Sequence, residues 1–230
     1  MCGIAGILAT GAERRGGASP EVAAAMADTL RHRGPDDAGV WVSEDHTVAL
    51  AHRRLSIVDL SALGHNPMAW DGGRLWITFN GEIYNFRELR AELEGCGHRF
   101  RSQTDTEVIL AAYDQWGLEG VQRLAGMFAF ALWDTSRRRL WVVRDRLGKK
   151  PLYYTHQLGR LCFASELKAL RADPALRLSV DARAIRLYLR YGYIPSPFTI
   201  YEGVHKVPPA HYLVCEGDGV TVSRYWDPVA

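Results

Sequence analysis

The sequence predicts a mixed α and β protein in which sheet layers are covered on the outside by helices. Strand-like segments dominate both ends of the 230-residue chain and helix-like segments lie between them, an order that differs from regular βαβ alternation. Hydrophobic residues make up 47% of the chain and charged residues 23%, which is typical of a packed globular protein. A chain of this length can bury a large core, so we expect one domain.

The N-terminal segment predicts a strand, a loop and a helix. The apolar run GIAGILA, residues 3–9, is short enough to favour a buried strand over a helix. A basic loop follows to Gly17. A helix is then expected to begin with Ser19 as N-cap and Pro20 in its first turn, and to end at Gly34. Its apolar residues share one predicted face: Val22, Ala25, Met26 and Leu30.

The rest of the chain continues with strands, two helices and more strands. Alternating polarity predicts strands within VWVS, TVALAH and RLWITFN. Helical spacing appears in FRELRAELEGCG and TDTEVILAAYDQWG, with Asn85 and Thr104 as caps. A hairpin is expected from FAFALWD to RLWVVRD, with its turn at residues 135–138, and further strands within PLYYT, RLCFAS, HYLVC and VTVSRYW.

Composition and spacing argue against several classes of protein. A formal net charge of +2 lacks the one-signed field of a nucleic-acid or membrane-surface binder. No signal peptide or bilayer-length apolar run is present, so we expect a cytoplasmic protein. The sequence also lacks the glycine-rich loops that bind nucleotides, so we expect this chain to bind no cofactor of its own. The cysteines are too scattered for a zinc site or disulfide framework: Cys2, Cys96, Cys162 and Cys215.

The cysteine at position 2 is the sharpest chemical feature. The small residues after Met1 permit its removal, which would leave a thiol and a free α-amine on Cys2. Reference pKa values of about 8.5 for the thiol and about 7.7 to 8 for the amine let the amine accept the thiol proton near neutral pH. Taken alone, however, this pair of residues fits a small buried cysteine at the start of a strand better.

WITFNGEIYNF places a polar group at the end of a strand. We expect a sharp turn at Asn80, Gly81 and Glu82 that exposes backbone N–H groups. The Asn80 amide and the Gly81 N–H would then bind the oxyanion that forms when a thiolate attacks an amide. The alternative is a type I′ hairpin, for which Asn-Gly is the strongest short signal.

Two charged residues suit the ends of an amino-acid substrate. Arg54 lies where strand gives way to loop, and its guanidinium fits a carboxylate through two parallel hydrogen bonds. Asp105 opens the second central helix and would meet an ammonium group. A surface ion pair for Arg54, and a favourable helix dipole for Asp105, are equally good explanations of each residue alone.

Eight segments together resemble the N-terminal glutaminase domain of glutamine-hydrolysing asparagine synthetases. They follow the order of that family and span almost the whole chain: MCGIAGI, RHRGPDD, AHRRLSIVDLS, FNGEIYNFREL, TDTEVILAAY, GMFAFALWD, VRDRLGKKPLYY and FASELKAL. The resemblance implies an α+β fold, a four-layer αββα sandwich of two antiparallel sheets of the N-terminal-nucleophile type. It also implies a class II glutamine amidotransferase domain at residues 2–225, and a linker to a separate synthetase domain beginning at 226–230.

The resemblance assigns roles residue by residue. Cys2 corresponds to the nucleophile and its α-amine to the base, while Asn80 and Gly81 correspond to the oxyanion pair and also contact the substrate. Arg54 corresponds to the clamp on the substrate carboxylate. The backbone near Val58 lines the same implied pocket. Glu82 and Asp105 correspond to the acids that hold the substrate amine.

The implied reaction is hydrolysis of L-glutamine to glutamate and ammonia through a γ-glutamyl thioester on Cys2. The ammonia would serve synthesis of asparagine from aspartate by a synthetase domain or subunit, which would hold the ATP and magnesium. No metal, nucleic acid or membrane is expected here, and a homo-oligomer is left open. Two alternatives remain: an acceptor other than aspartate, and a non-catalytic interaction module that keeps the fold.

Overall fold

The computed structural model describes residues 1–11, 17–57 and 59–229. Most of the basic loop expected before Gly17 lies outside these residues. Within them, the helices and strands follow in this order: β1 (Gly3–Ala9), α1 (Pro20–Asp28), β2 (Asp37–Val42), β3 (Val48–Arg54), β4 (Met68–Trp70), β5 (Leu75–Ile83), α2 (Phe86–Gly95), α3 (Asp105–Trp116), β6 (Gly126–Asp134), β7 (Arg139–Arg144), β8 (Tyr153–Gln157), β9 (Arg160–Ala164), α4 (Leu167–Arg171), α5 (Ala182–Tyr191), β10 (Val204–Lys206), β11 (His211–Glu216) and β12 (Gly219–Arg224).

The strands form two antiparallel sheets of six strands each. The first sheet has the order β10-β8-β9-β1-β3-β2, and the second has the order β12-β11-β7-β6-β5-β4. Helices α1 and α4 cover the outer face of the first sheet, and α2 and α3 cover the outer face of the second. Three apolar clusters fill the three interfaces between these four layers. The predicted αββα sandwich is therefore present.

The central strands are apolar throughout because both of their faces are buried. In β6, Phe128 and Phe130 pack against α2 and α3, whereas Ala129, Ala131 and Trp133 pack against the first sheet. This is the two-residue period of a strand with core on each side. Burying one such large side chain stabilises the fold by roughly 1.5–3 kcal/mol.

Helix α1 differs from its predicted form in length and in its buried face. Ser19 caps it as expected, but the helix ends at Asp28, and turns lead from there to Gly34. Of the predicted face, Met26 and Leu30 are buried, Val22 is half-buried and Ala25 is exposed. Ala23 and Ala27 are the other buried residues of the helix. Gly34 acts in a close approach, since a Cβ there would overlap the Arg53 backbone.

Asn80, Gly81 and Glu82 lie inside strand β5, so neither the predicted sharp turn nor the alternative hairpin is formed there. β5 continues to Ile83 and pairs with β6 along its full length. Gly81 permits this pairing, because a Cβ at that position would overlap the backbone of Met127. Thr104 caps α3 as predicted, whereas the Asn85 side chain bonds the segment before β6 rather than its own helix.

Four elements were not predicted: β4, α4, α5 and β10. The predicted hairpin of β6 and β7, the strand pair β8-β9 and the late strands β11 and β12 are confirmed, and β11 pairs with β12. Across the described part of the chain, every helix is too short or too polar to cross a bilayer.

Candidate active site

A pocket lies where the start of β1, the end of β3 and the last residues of β5 meet. Its volume is about 140 Å³, enough for a small organic molecule, because one ordered water needs only about 10–15 Å³. Val58 lies outside the described residues, and its neighbours Ile57 and Asp59 line the pocket. All the other predicted site residues line the same pocket: Cys2, Arg54, Asn80, Gly81, Glu82 and Asp105.

The start of the chain is held in place by backbone and side-chain bonds. Cys2 precedes β1, and its carbonyl oxygen accepts a hydrogen bond of 2.9 Å from Arg33 Nε. Glu166 binds the same guanidinium at 2.9 Å. The Cys2 sulfur accepts a bond of 3.3 Å from the Leu55 N–H and lies 3.6 Å from the Leu55 carbonyl oxygen. The thiol therefore has a fixed position in the pocket.

The electrostatic surroundings keep this thiol protonated until a base acts on it. Burial raises the pKa of the Cys2 thiol. The Leu55 N–H, the terminal amine and the positive charges of Arg54 and Lys150 oppose that rise without cancelling it. A thiol with a raised pKa is a poor nucleophile at neutral pH, so chemistry at Cys2 requires a proton acceptor nearby.

The side-chain amide of Asn80 is buried without a partner. Asn80 is 1% exposed, and neither its Nδ2 nor its Oδ1 forms a hydrogen bond among the described residues. An unsatisfied buried polar group costs about 1–3 kcal/mol, so proteins seldom keep one without a use for it. Asn80 lines the pocket, and its Nδ2 is thus a donor available to a ligand.

The Gly81 N–H points to the open edge of β5. Successive N–H groups of a strand point to opposite edges, so those of Gly81 and Ile83 share one edge. The Ile83 N–H bonds Asp105 Oδ2 over 2.9 Å on the side away from β6. β4 covers this edge only as far as Ile77, which leaves the edge uncovered by strand at Gly81. A second donor therefore points from the strand toward the pocket beside Asn80.

Arg54 is the last residue of β3, and its guanidinium is buried without an acidic partner. The residue is 8% exposed. Its guanidinium donates to the carbonyl oxygens of Ser61, at 3.1 Å, and Asp59, and it forms no ion pair with any described residue. Gly64 makes room for it, since a Cβ there would overlap Nη2. Asp37 and Asp59 lie close enough for the Arg54 charge to lower the pKa of their carboxyl groups, but neither forms an ion pair with it, so the guanidinium can still bind an incoming carboxylate.

Two carboxylates lie elsewhere along the wall of the pocket. Asp105 is the first residue of α3, and burial raises its pKa to about 6, with the Glu82 charge adding to that rise. The Ile83 N–H partly offsets it. Glu82 follows Asn80 by two residues on the same face of β5. Together the two acids provide negative charge for an ammonium group.

Residues 1–226 match the family model described as a glutamine amidotransferase domain. The chain belongs to this family. It is 42% identical to asparagine synthetase [glutamine-hydrolyzing] 3 of Bacillus subtilis over 205 residues, which cover 88% of this chain and 33% of that protein. It is 37% identical to asparagine synthetase [glutamine-hydrolyzing] 1 of the same organism, across 98% of this chain and 35% of that protein. The chain spans about a third of the length of these relatives.

The fold of this amidotransferase domain is shared with a solved structure. Glutamine phosphoribosylpyrophosphate amidotransferase of B. subtilis, in complex with ADP and GMP, superimposes with a TM-score of 0.74. The match covers 98% of this chain and 49% of that chain, at 19% sequence identity. An identity this low compares folds only, and the predicted N-terminal-nucleophile sandwich is confirmed on that basis.

One histidine lines the pocket of the amidotransferase domain, and it is a poor general base. Burial lowers the pKa of His52 to about 4, and its Nε2 lies 2.9 Å from the carbonyl oxygen of Phe79. A neutral imidazole with so low a pKa accepts a thiol proton reluctantly. Among the described residues no group of three or more His, Cys, Asp and Glu side chains is arranged to hold a metal ion.

Lys150 is a buried, charged pocket residue that sequence reasoning missed. It is 5% exposed, burial lowers the pKa of its ammonium group, and its charge acts on both Cys2 and Glu82. The loop before it is fixed by the Asp145 carboxylate, which accepts from the Lys149 and Lys150 N–H groups at 2.9 Å each. The segment VRDRLGKKPLYY contributed to the family resemblance. Within it, Asp145 directly follows β7, and an acid at that position is a local signal of a structured loop.

Proposed function

We propose that this domain hydrolyses L-glutamine to glutamate and ammonia, with the Cys2 thiol as nucleophile. The observation that carries the proposal is the unpartnered Asn80 amide, buried in the same pocket as that thiol. An oxyanion formed by thiolate attack would give this amide the acceptor that it lacks. Membership of the glutamine amidotransferase family supports the same reaction.

Removal of Met1 would supply the missing base. It would leave the α-amine of Cys2 beside its own sulfur, and Met1 is an exposed residue that lines the pocket. The amine takes the thiol proton, and the thiolate attacks the side-chain carbonyl carbon of glutamine. The oxyanion is held by Asn80 Nδ2 and the Gly81 N–H. The C–N bond then breaks, the amine returns its proton to the leaving ammonia, and water cleaves the γ-glutamyl thioester.

Charges at the two ends of the pocket would select free glutamine. Arg54 pairs with the α-carboxylate, and the backbone near Val58 completes that side. Glu82 and Asp105 hold the α-ammonium group. A substrate that lacks either charge would leave buried groups of the enzyme unpaired, which discriminates strongly against it.

The ammonia is expected to pass to a synthetase that makes asparagine from aspartate. Support comes from the relatives, which are named as glutamine-hydrolysing asparagine synthetases and are about three times as long as the matched region. The synthetase part, rather than this chain, would bind ATP and magnesium. We propose that residues 226–230 begin the linker to this synthetase part. We also propose that the protein is cytoplasmic, and we leave a homo-oligomer open.

The direct test measures glutamate released from glutamine. Wild type is expected to be active and Cys2→Ala inactive, whereas Cys96→Ala, at an exposed cysteine, should keep full activity. Intact mass should show loss of Met1, and diazo-oxo-norleucine should add once, at Cys2. Retained Met1 with no adduct and no glutamate would establish the non-catalytic module instead. Ammonia transfer to an acceptor other than aspartate would overturn only the assignment to asparagine synthesis.

A further inference from the structure

Helix α5 turns an apolar face to solvent. Ile185, Tyr188 and Leu189 lie at helical spacing on one face and are 43%, 54% and 77% exposed. Ala184 is the only buried residue of the helix. Aromatic side chains at the end of the helix and in the following segment are also exposed. We call this set the α5 patch, and its members are Ile185, Tyr188, Leu189, Tyr191, Tyr193 and Phe198.

The helix is defined at both ends but lacks the packing that normally supports one. Asp181 accepts a hydrogen bond of 2.8 Å from the Arg183 N–H at the start, and Gly192 ends the helix in the left-handed conformation, at φ 76°. A ten-residue helix is marginal by itself in water, since most helical stability in proteins comes from burying an apolar face. An exposed apolar surface of this kind marks an interaction site.

The charges of α5 argue against a second copy of this chain as the occupant. The helix carries three arginines and no acid. Arg183 pairs with Asp181, while Arg186 and Arg190 form no ion pair with any described residue. Two α5 helices packed on each other would bring like charges together, which disfavours self-pairing. The fitting partner has an apolar groove with carboxylates on its rim.

The α5 patch is also connected to the wall of the Cys2 pocket. The Lys206 side chain donates to the carbonyl oxygen of Ile194, in the segment that follows α5. The adjacent Val207 carbonyl accepts from Arg144 Nη1 over 2.6 Å, and Arg144 Nε donates to the Lys150 carbonyl over 2.8 Å. Lys150 lines the pocket. Hydrogen bonds thus link the segment after α5 to a residue of the pocket wall.

We propose that the α5 patch is the docking surface for the synthetase that receives the ammonia. This inference rests on the proposed function. The relatives match this chain over only about a third of their length, so about two thirds of each lies outside the shared domain and is available as the partner. The apolar side chains would bury against that partner, and Arg186 and Arg190, which form no ion pair with any described residue, would meet an acidic rim.

The test uses the full chain and a defined probe. The probe is the part of B. subtilis asparagine synthetase 3 outside the matched region, purified in a form that makes asparagine from aspartate, ATP and ammonium chloride. Leu189→Glu is expected to weaken binding at least about tenfold, as for a central interface residue, and Arg186→Glu to weaken it less. The matched control is Leu158→Glu, 53% exposed in the β8-β9 turn, which should bind as wild type does.

Glutamate release is measured in parallel for each variant. It should not change, because α5 lies outside the catalytic pocket. Equal affinity of wild type and Leu189→Glu, or an equal loss in Leu158→Glu, would overturn the docking surface. So would a wild-type dimer that Leu189→Glu converts to a monomer, since a second copy would then be the occupant. Normal binding by a wild type that releases no glutamate would contradict the proposed reaction and leave the surface in place.

Discussion

The backbone N–H of Leu55 donates a hydrogen bond to the sulfur of Cys2 over 3.3 Å. This bond links the loop after β3 to the residue before β1, and it aims the thiol into the pocket that holds the unpartnered amide of Asn80. The same N–H favours the thiolate and so opposes the effect of burial on the pKa of Cys2. The position and the pKa of the Cys2 thiol thus both depend on the loop after β3.

Asn80→Ala should lower kcat/KM while leaving the protein at least as stable as wild type. Loss of one oxyanion donor typically reduces turnover by about 10²–10³-fold. Stability should not fall in proportion, because the amide has no partner among the described residues to lose. Steady-state kinetics and urea unfolding measure the two effects.

Thr78→Val is the matched control for that substitution. Thr78 lies on the same strand, and its hydroxyl donates to the Ala51 carbonyl over 3.1 Å. This variant should lose about 1 kcal/mol of stability and keep its activity. If Asn80→Ala were destabilised as much as Thr78→Val and remained active, the amide would be structural.

Local signals located part of the pocket correctly. Arg54 at the end of β3 and Asp105 at the start of α3 follow from strand and cap patterns a few residues long. At Asn80 and Gly81 the sequence predicts either a sharp turn at the end of a strand or a hairpin, for which Asn-Gly is the strong local signal. Pairing with β6, a strand distant in sequence, overrides that signal and extends β5 to Ile83.

Features that depend on contacts between residues distant in sequence could not be predicted from local patterns. Burial of Lys150 follows from how the loop after β7 folds back beside Cys2, and no short pattern encodes that contact. The end of α1 at Asp28 likewise reflects the turns that carry Arg33 to the Cys2 carbonyl. The layers were easier to predict, because the order of strand-like and helix-like segments can be read directly along the sequence.

Arg54→Gln should impair recognition of the substrate carboxylate. A hydrogen bond to a charged group contributes about 1.5–3 kcal/mol, so kcat/KM for glutamine should fall roughly 10- to 150-fold. Activity on glutaminamide, which lacks the carboxylate, should change far less. Arg53→Gln is the control, because Arg53 instead pairs with Asp28 near the surface. An equal loss on both substrates would show that Arg54 only supports the loop.

Asp105→Asn should stabilise the fold near neutral pH and weaken glutamine binding. Burial raises the pKa of Asp105 from 3.8 to about 6, so the folded state holds a proton that the unfolded state releases. Stability is therefore lost as pH rises from about 4 to about 6, by about 3 kcal/mol. The variant should remove that loss, as measured by urea unfolding at pH 4 and pH 7.5.

Asp37→Asn is the control variant, and its effect on stability at neutral pH should have the opposite sign. Hydrogen bonds from His65 and from the Ala38 N–H outweigh the effect of burial and lower the pKa of Asp37, so its ionised form is favoured in the folded state. Its replacement should reduce stability at neutral pH rather than increase it. A KM for glutamine that is unchanged in Asp105→Asn would contradict its assignment to the substrate amine.

Lys150→Met should make the Cys2 thiol harder to ionise. The positive charge of Lys150 lowers the pKa of that thiol, so its removal should shift Cys2 alkylation and the acid limb of kcat/KM to higher pH. The measurement uses a Cys96→Ser background, since Cys96 is the exposed cysteine that would also react. Lys149→Met, at the exposed neighbouring lysine, should leave both profiles in place. A shift of the same size in both variants would mean that general surface charge, rather than the buried ammonium group, controls the nucleophile.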